Sequence, residues 1–332
     1  MVGGAVYGLL LRVLFGVMPP SLQGPMSVAF LIATPLTVGA LTIYGARQQN
    51  LSVWSWMFVP WATIALMLAG CAATLLEGAI CLALMAPLFL IAGSIGGVLM
   101  GVALRVVPSR QSSLKAVAVL PLLMILGDGL LPLPDRHLEI RRSIHIDAAP
   151  PTVWKQILTA REIRSEELPI SITHLIGVPR PLEGVNRLTP DGEIRYSQWE
   201  KGVNFQAVVT NRRENESITW RYRFDAHSFP KGSMDEHVAI GGRYFDLDDT
   251  TFNLIRTPNG TTNLEIVAHF RVTSSVNFYA VPVAKFLGQD FVHTILSLYK
   301  NRSEGVESGF HAAKPSRPAG VYSVASRQRN GT

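Results

Sequence analysis

The side chains best suited to chemistry are concentrated in one run, His227-Ser-Phe-Pro-Lys-Gly-Ser-Met-Asp-Glu-His237, followed by Gly241-Gly242. Asp235, Glu236 and His237 offer acid–base groups, and His227 could join them around a metal. Adjacent residues on an extended segment point in different directions, so they seldom converge on one ion. The spacings His-x-x-x-His and His-Glu-x-x-His, which put two ligands on one helix face, do not occur. The simpler expectation is that Asp235 caps a turn and His237 makes a structural hydrogen bond.

Other candidates are weaker. Glu166 and Glu167 close a short helical pattern just before His174, and a buried carboxyl there could act as an acid. Solvated surface carboxylates are the commoner outcome. There is no glycine-rich phosphate loop and no Gly-x-Ser-x-Gly around a nucleophile. No catalytic residues can therefore be named, no cofactor or metal is implied, and binding is favoured over catalysis.

The elements that must hold these residues fall into two halves of opposite character. Only Arg47 and Glu77 are charged between Val13 and Leu104, whereas almost all other charge follows Leu133. One half reads as soluble in hydrocarbon and the other in water. The net charge is +6, divided as +3 before Asp135, +1 in the middle and +2 from Glu304 onward. No concentrated basic footprint results, which argues against nucleic acid as a partner. Residues 305–332 are rich in Ser, Pro and Gly and read as a disordered tail. Cys71 and Cys81 both lie in apolar segments, so no disulfide framework is expected.

Residues 1–133 read as four or five membrane helices: Val2–Met18, Met26–Tyr44, Val53–Leu76, Gly78–Leu104 and Ala116–Leu131. The first could instead lie along the membrane surface. Arg47 falls in one short loop and Arg105, Arg110 and Lys115 in another on the same side, which the basic-residue rule assigns to the cytoplasm. With five spans the soluble half emerges on the outer face. Glu77 reads as part of a solvated turn between two spans. Gly93, Gly97 and Gly101 share one helix face; packing inside the bundle is the simpler expectation, and a homodimer contact the other.

Residues 138–304 read as an α+β unit. A strand over Leu138–Ile146 runs into a helix with Val153, Trp154, Ile157 and Leu158 on its apolar face, and a second short helix covers Arg161–Glu167. Period-two patterns follow over Val185–Thr189, Glu193–Trp199, Val203–Arg213, Ser217–Asp225, Tyr244–Thr257 and Thr262–Thr273. Pro190-Asp191-Gly192 and Pro258-Asn259-Gly260 mark turns. A long helix from about Asn277 to Arg302 carries Ala284, Leu287, Phe291, Ile295 and Leu298 on one face.

The motif Ile144-His-Ile-Asp-Ala-Ala-Pro-Pro-Thr-Val-Trp154 and this order of elements resemble the START-like (SRPBCC) superfamily, which includes polyketide cyclase/dehydrase and lipid-transfer proteins. The resemblance spans about Leu138 to Glu304, and the whole chain looks like uncharacterised bacterial membrane proteins of that superfamily, hence an inner-membrane location. It implies a helix-grip fold, with a curved antiparallel sheet around the C-terminal helix and a ligand cavity between them. The residues expected to line that cavity are Phe205, Tyr222, Phe224, His237, Tyr244, Ile266, Phe270, Phe291 and Ile295, with Trp199 and Trp220 nearby. The implied function is a membrane-anchored binding protein for an apolar small molecule or lipid. The alternatives are a cyclase- or dehydratase-type enzyme using His237 with Asp235 or Glu167, and an interaction module with a filled core.

Overall fold

The computed structural model describes residues 1–18, 24–49, 51–106, 110–128, 133–190, 192–235 and 237–312. Five helices form the N-terminal part: α1 (Val2–Gly16), α2 (Thr34–Gly45), α3 (Val53–Ala73), α4 (Ala79–Val106) and α5 (Arg110–Asp128). A wide π-type turn, Ala29–Ala33, leads into α2.

The helices run alternately up and down. A side chain at Gly4, near the start of α1, would meet Thr42 of α2 and Thr63 of α3. At the other end of α1, Arg12 reaches Glu77, between α3 and α4. Glycines set the tightest crossings: a Cβ on Gly39 would run into the Gly93 carbonyl, and one on Gly96 into that of Leu36. The glycine stripe of α4 faces its own chain. Gly97 abuts the Trp56 carbonyl and Gly101 the Trp56 ring, so a homodimer through Gly93, Gly97 and Gly101 would have to displace α3.

Among the described residues, α3 and α4 are long and apolar enough to cross a membrane. At about 1.5 Å per residue they measure about 31 and 42 Å, against a hydrocarbon core of about 30 Å. Large apolar side chains also cover the outside of the bundle, among them Leu10, Trp54, Phe58, Ile91, Leu99 and Leu123. Glu77 is not in a solvated turn. It is 7% exposed and its Oε1 accepts from Arg12 Nε at 2.5 Å, while Arg12 Nη2 donates to the Leu76 carbonyl at 2.7 Å.

The C-terminal part begins with β1 (Asp135–Ile146), α6 (Pro150–Leu158), β2 (Thr159–Ala160) and α7 (Ile172–Leu175). Strands β3 (Pro181–Thr189), β4 (Gly192–Trp199), β5 (Asn204–Arg213), β6 (Ser217–Arg223), β7 (Phe245–Arg256) and β8 (Thr262–Thr273) follow, then α8 (Asn277–Ala312). All eight strands make one antiparallel sheet in the order β1-β8-β7-β6-β5-β4-β3-β2. Bulges between Val209 and Asn211 and between Leu247 and Asp249 sharpen its bend.

Two expectations need correction. The helix expected over Arg161–Glu167 shrinks to a single 3-10 turn, Ser165–Glu167, because Glu162 takes a positive φ of 50° and breaks the helical path. The long helix continues to Ala312, so the first part of the expected tail is helical; residues 313–332 lie outside the described residues. Pro282 is accommodated six residues into α8.

Three apolar clusters result among the described residues. One lies between the sheet and α6 and α8, around Ile146, Trp154, Trp220, Leu264 and Leu296. The second fills the bundle around Phe15, Phe30, Ile64 and Phe89, and the third, smaller, gathers Ile43, Tyr44, Trp56 and Met100. Val276, just before α8, belongs to the bundle core, so the two halves share an apolar contact.

Candidate functional site

A cavity of about 360 Å³ lies between the concave face of the sheet and α8. Its walls follow from the periods of the elements. Phe205, Tyr222, Ile266 and Phe270 project inward from β5, β6 and β8. Leu287, Phe291 and Ile295 project back at them from α8. Room is left because α8 carries Ala280, Ala284 and Gly288 at four-residue spacing on the same face. A Cβ on Gly288 would already press on Ile140.

All nine residues expected from the sequence, Phe205, Tyr222, Phe224, His237, Tyr244, Ile266, Phe270, Phe291 and Ile295, line this cavity. Aromatic rings form much of one wall. Trp199 and Phe205 lie 5.1 Å apart, Phe205 and Tyr222 5.9 Å, and Trp199 and Phe291 5.4 Å, in tilted or edge-on contacts. The volume falls within the range of small-molecule sites.

The sequence did not indicate what closes one end. Ile80, Leu84 and Leu88 of α4, with Pro25, Met26 and Leu31, complete the lining there. Two hydrogen bonds fix this junction. Tyr279 Oη donates to the Leu84 carbonyl at 2.6 Å, and the Cys81 N–H donates to Asp235 Oδ2 at 2.8 Å. The cavity wall is thus shared between the sheet domain and the helix best suited to cross a membrane.

The acid–base candidates separate. His237 reaches the cavity and meets the Tyr244 ring edge-on at 6.2 Å. Asp235 is committed to α4, Glu236 lies outside the described residues, and His227 is fully solvated. Glu166 is exposed. Glu167 pairs with Arg302 Nε at 2.5 Å, and that hydrogen bond holds its carboxyl below the usual range. It ties the Ser165–Glu167 turn to α8 and does not line the cavity, so it is no partner for His237. His174 packs on Phe291, and burial holds its imidazole below the ordinary value while Nδ1 contacts the Val178 carbonyl at 3.0 Å. Among the described residues no three His, Cys, Asp or Glu side chains gather where they could hold a metal.

Beyond the aromatic wall, α7 is anchored to α8. Asp290 Oδ2 accepts from Ser171 Oγ, Thr173 N and Thr173 Oγ1 at 2.5, 2.9 and 2.8 Å. Burial opposes ionisation of Asp290, but these bonds outweigh it and lower its pKa. Polar residues also enter the lining from β4, where Arg195 and Ser197 are buried while Tyr196 between them is less so. Neither was among the residues expected to line the cavity; the available signal was that they alternate with Ile194 and Tyr196 along the strand.

No family model matches the chain, and no curated protein matches it. Among solved structures, a START superfamily protein from Mycobacterium smegmatis is similar over 52% of this chain and 99% of its own, at 14% identity and a TM-score of 0.34. The Zhui aromatase/cyclase from a Streptomyces species is similar over 51% of this chain and 94% of its own, at 9% identity and a TM-score of 0.33. By the order and pairing of its own strands and helices, the part of the chain from Asp135 to Ala312 has the helix-grip fold, a curved antiparallel sheet around a long C-terminal helix.

Proposed function

We propose that this chain is a membrane-anchored binding protein for an apolar small molecule or lipid held between the sheet and α8. One observation carries the reading: the apolar cavity is walled at one end by the first turns of α4, itself long and apolar enough to span a bilayer. A ligand drawn from the lipid phase would reach that end without crossing water, and tethering raises its effective concentration. The apolar outer surface of the bundle, which in water would be a large unprotected patch, supports membrane insertion of all five helices. Arg47 and Arg105 lie at the end away from Glu77, and the sheet domain docks at the Glu77 end. The basic-residue rule then puts that domain on the outer face of a bacterial inner membrane.

The test is direct. The full chain is purified from the membrane fraction, and its solvent extract is read by mass spectrometry. A near-stoichiometric apolar compound is expected. Recovery of the chain in the soluble fraction would refute anchoring, and an extract holding no such compound would refute binding. The enzyme alternative keeps His237 at the cavity but has lost both carboxylates assigned to assist it.

A further inference from the structure

Two arginines are buried among the described residues, Arg12 and Arg195. Arg12 has a carboxylate partner in Glu77. Arg195 is 8% exposed, lines the cavity, and is held by neutral oxygens alone. Its Nη1 donates to the Ile157 carbonyl at 2.8 Å and to Asn186 Oδ1 at 3.0 Å, and Nη2 donates to Tyr299 Oη at 3.1 Å. The guanidinium also lies 4.5 Å from the centre of the Trp220 ring. These hydrogen bonds use three of its five N–H groups.

The nearby acids are engaged elsewhere. Glu183 faces Arg161 at 3.6 Å. Glu193 pairs with Arg212 at 2.6 Å and meets the Arg195 network only through Asn186 Nδ2, at 2.9 Å. Trp220, 1% exposed, lines the same cavity, and its indole N–H has no acceptor among the described residues. A buried cation without a counter-charge is costly, so a fold that retains one needs the charge met by something else. The surroundings are shaped to hold it: Gly184 on β3 has no side chain, and a Cβ there would run into the guanidinium.

Position decides what could meet that charge. Tyr299 and Tyr279 are both on α8, twenty residues apart, which is about 30 Å along the helix. Tyr279 marks the end of the cavity at α4, so Arg195 lies toward the opposite end. A ligand that satisfies both ends is long, with a small anionic head and an apolar body.

We propose that Arg195 is the head-group site for an amphiphile bearing a single carboxylate, whose apolar tail runs along α8 toward the bundle. This rests on the reading of the cavity as an apolar-ligand site. A carboxylate matches the one positive charge and the fork of a guanidinium. A phosphate monoester, carrying close to two negative charges, would leave one of them buried and unpaired.

The test uses the full chain in lipid nanodiscs, with cis-parinaric acid as fluorescent probe and empty discs as blank. Palmitate, methyl palmitate, hexadecanol and hexadecyl phosphate compete for it. Palmitate is expected to displace the probe at about one-tenth the concentration of the ester or the alcohol, or less, since a hydrogen bond to a charged group is worth that much. In Arg195→Met this advantage should shrink to within about twofold, and Arg195→Lys should retain part of it. If the methionine variant fails to fold, the acid-against-ester comparison in the native chain still decides. Equal displacement by acid and ester overturns the carboxylate site and leaves the apolar cavity standing. Stronger displacement by hexadecyl phosphate overturns the single-charge match. No saturable binding by any of the probes overturns both.

Discussion

Asp235, in the connection between β6 and β7, accepts a hydrogen bond from the backbone N–H of Cys81 in the first turn of α4, at 2.8 Å. Gly78 immediately precedes that helix, its carbonyl accepting from the Leu82 N–H, and has no side chain to cap it. A Cβ at Gly78 would collide with the Asp235 carboxylate, so the missing cap is supplied from the other half of the molecule. The carboxylate also sits at the positive end of the helix dipole. Removing it by Asp235→Ala should cost about 1 kcal/mol, the usual worth of an N-cap. It should also free the connection, seen as faster trypsin cleavage at Lys231 in the full chain. Gly78→Ala should reproduce the effect by displacing the same carboxylate, and an unchanged cleavage rate in both variants would count against the cap.

The Arg12–Glu77 pair predicts an asymmetric double-mutant cycle. Either single change, Arg12→Met or Glu77→Met, leaves one buried charge alone and should destabilise the bundle by about 3–5 kcal/mol. The double variant removes both charges and should recover most of that loss. Thermal unfolding in detergent reads the difference, and additive losses would mean that the pair is not coupled.

Filling the cavity should expel its occupant and leave the fold intact. Ala284 lines the cavity from α8. Ala284→Trp should lower the amount of co-purified apolar compound several-fold, with the circular-dichroism spectrum unchanged. An undiminished yield would place the compound elsewhere.

His269 links three strands across the outer face of the sheet: its Nδ1 lies 2.8 Å from Asp249 and its Nε2 3.5 Å from Glu139. The hydrogen bond to Asp249, more than the opposing effect of burial, raises its pKa. The folded state therefore holds the proton more tightly than the unfolded chain does. The stabilisation is fully present below the unfolded value, about 6.5, and is lost as pH rises through the higher folded value. The melting temperature should fall over that window in the native chain, and His269→Asn should flatten the fall. Identical pH profiles would rule out this linkage.

The side of the membrane is a separate question with a separate measurement. Asn259 is exposed at the turn between β7 and β8, while Cys71 and Cys81 are buried. A cysteine introduced at Asn259 should react with a membrane-impermeant maleimide in intact cells from which the outer membrane has been made permeable. Labelling only after the inner membrane is breached would place the sheet domain in the cytoplasm.

The sequence by itself determined the elements and their faces. Alternation in β5, β6 and β8 and the three-and-four spacing in α8 are local patterns that give the inward faces of Phe205, Tyr222, Ile266, Phe270, Phe291 and Ile295, whereas the cavity itself was implied only by the family resemblance. The segregation of charge likewise separated the apolar helices from the domain that follows. What the sequence left open are relations between distant residues. Glu77 looked solvated because its partner Arg12 is 65 residues away on another helix. Asp235 was expected to cap a turn of its own loop, and the helix end it meets instead lies 154 residues earlier. Nothing in the sequence singled out Arg195, because its partners Ile157, Asn186 and Tyr299 come from three other elements, the last 104 residues away. Periodicity fixes which way a side chain leaves its own element; tertiary packing alone decides what it meets there.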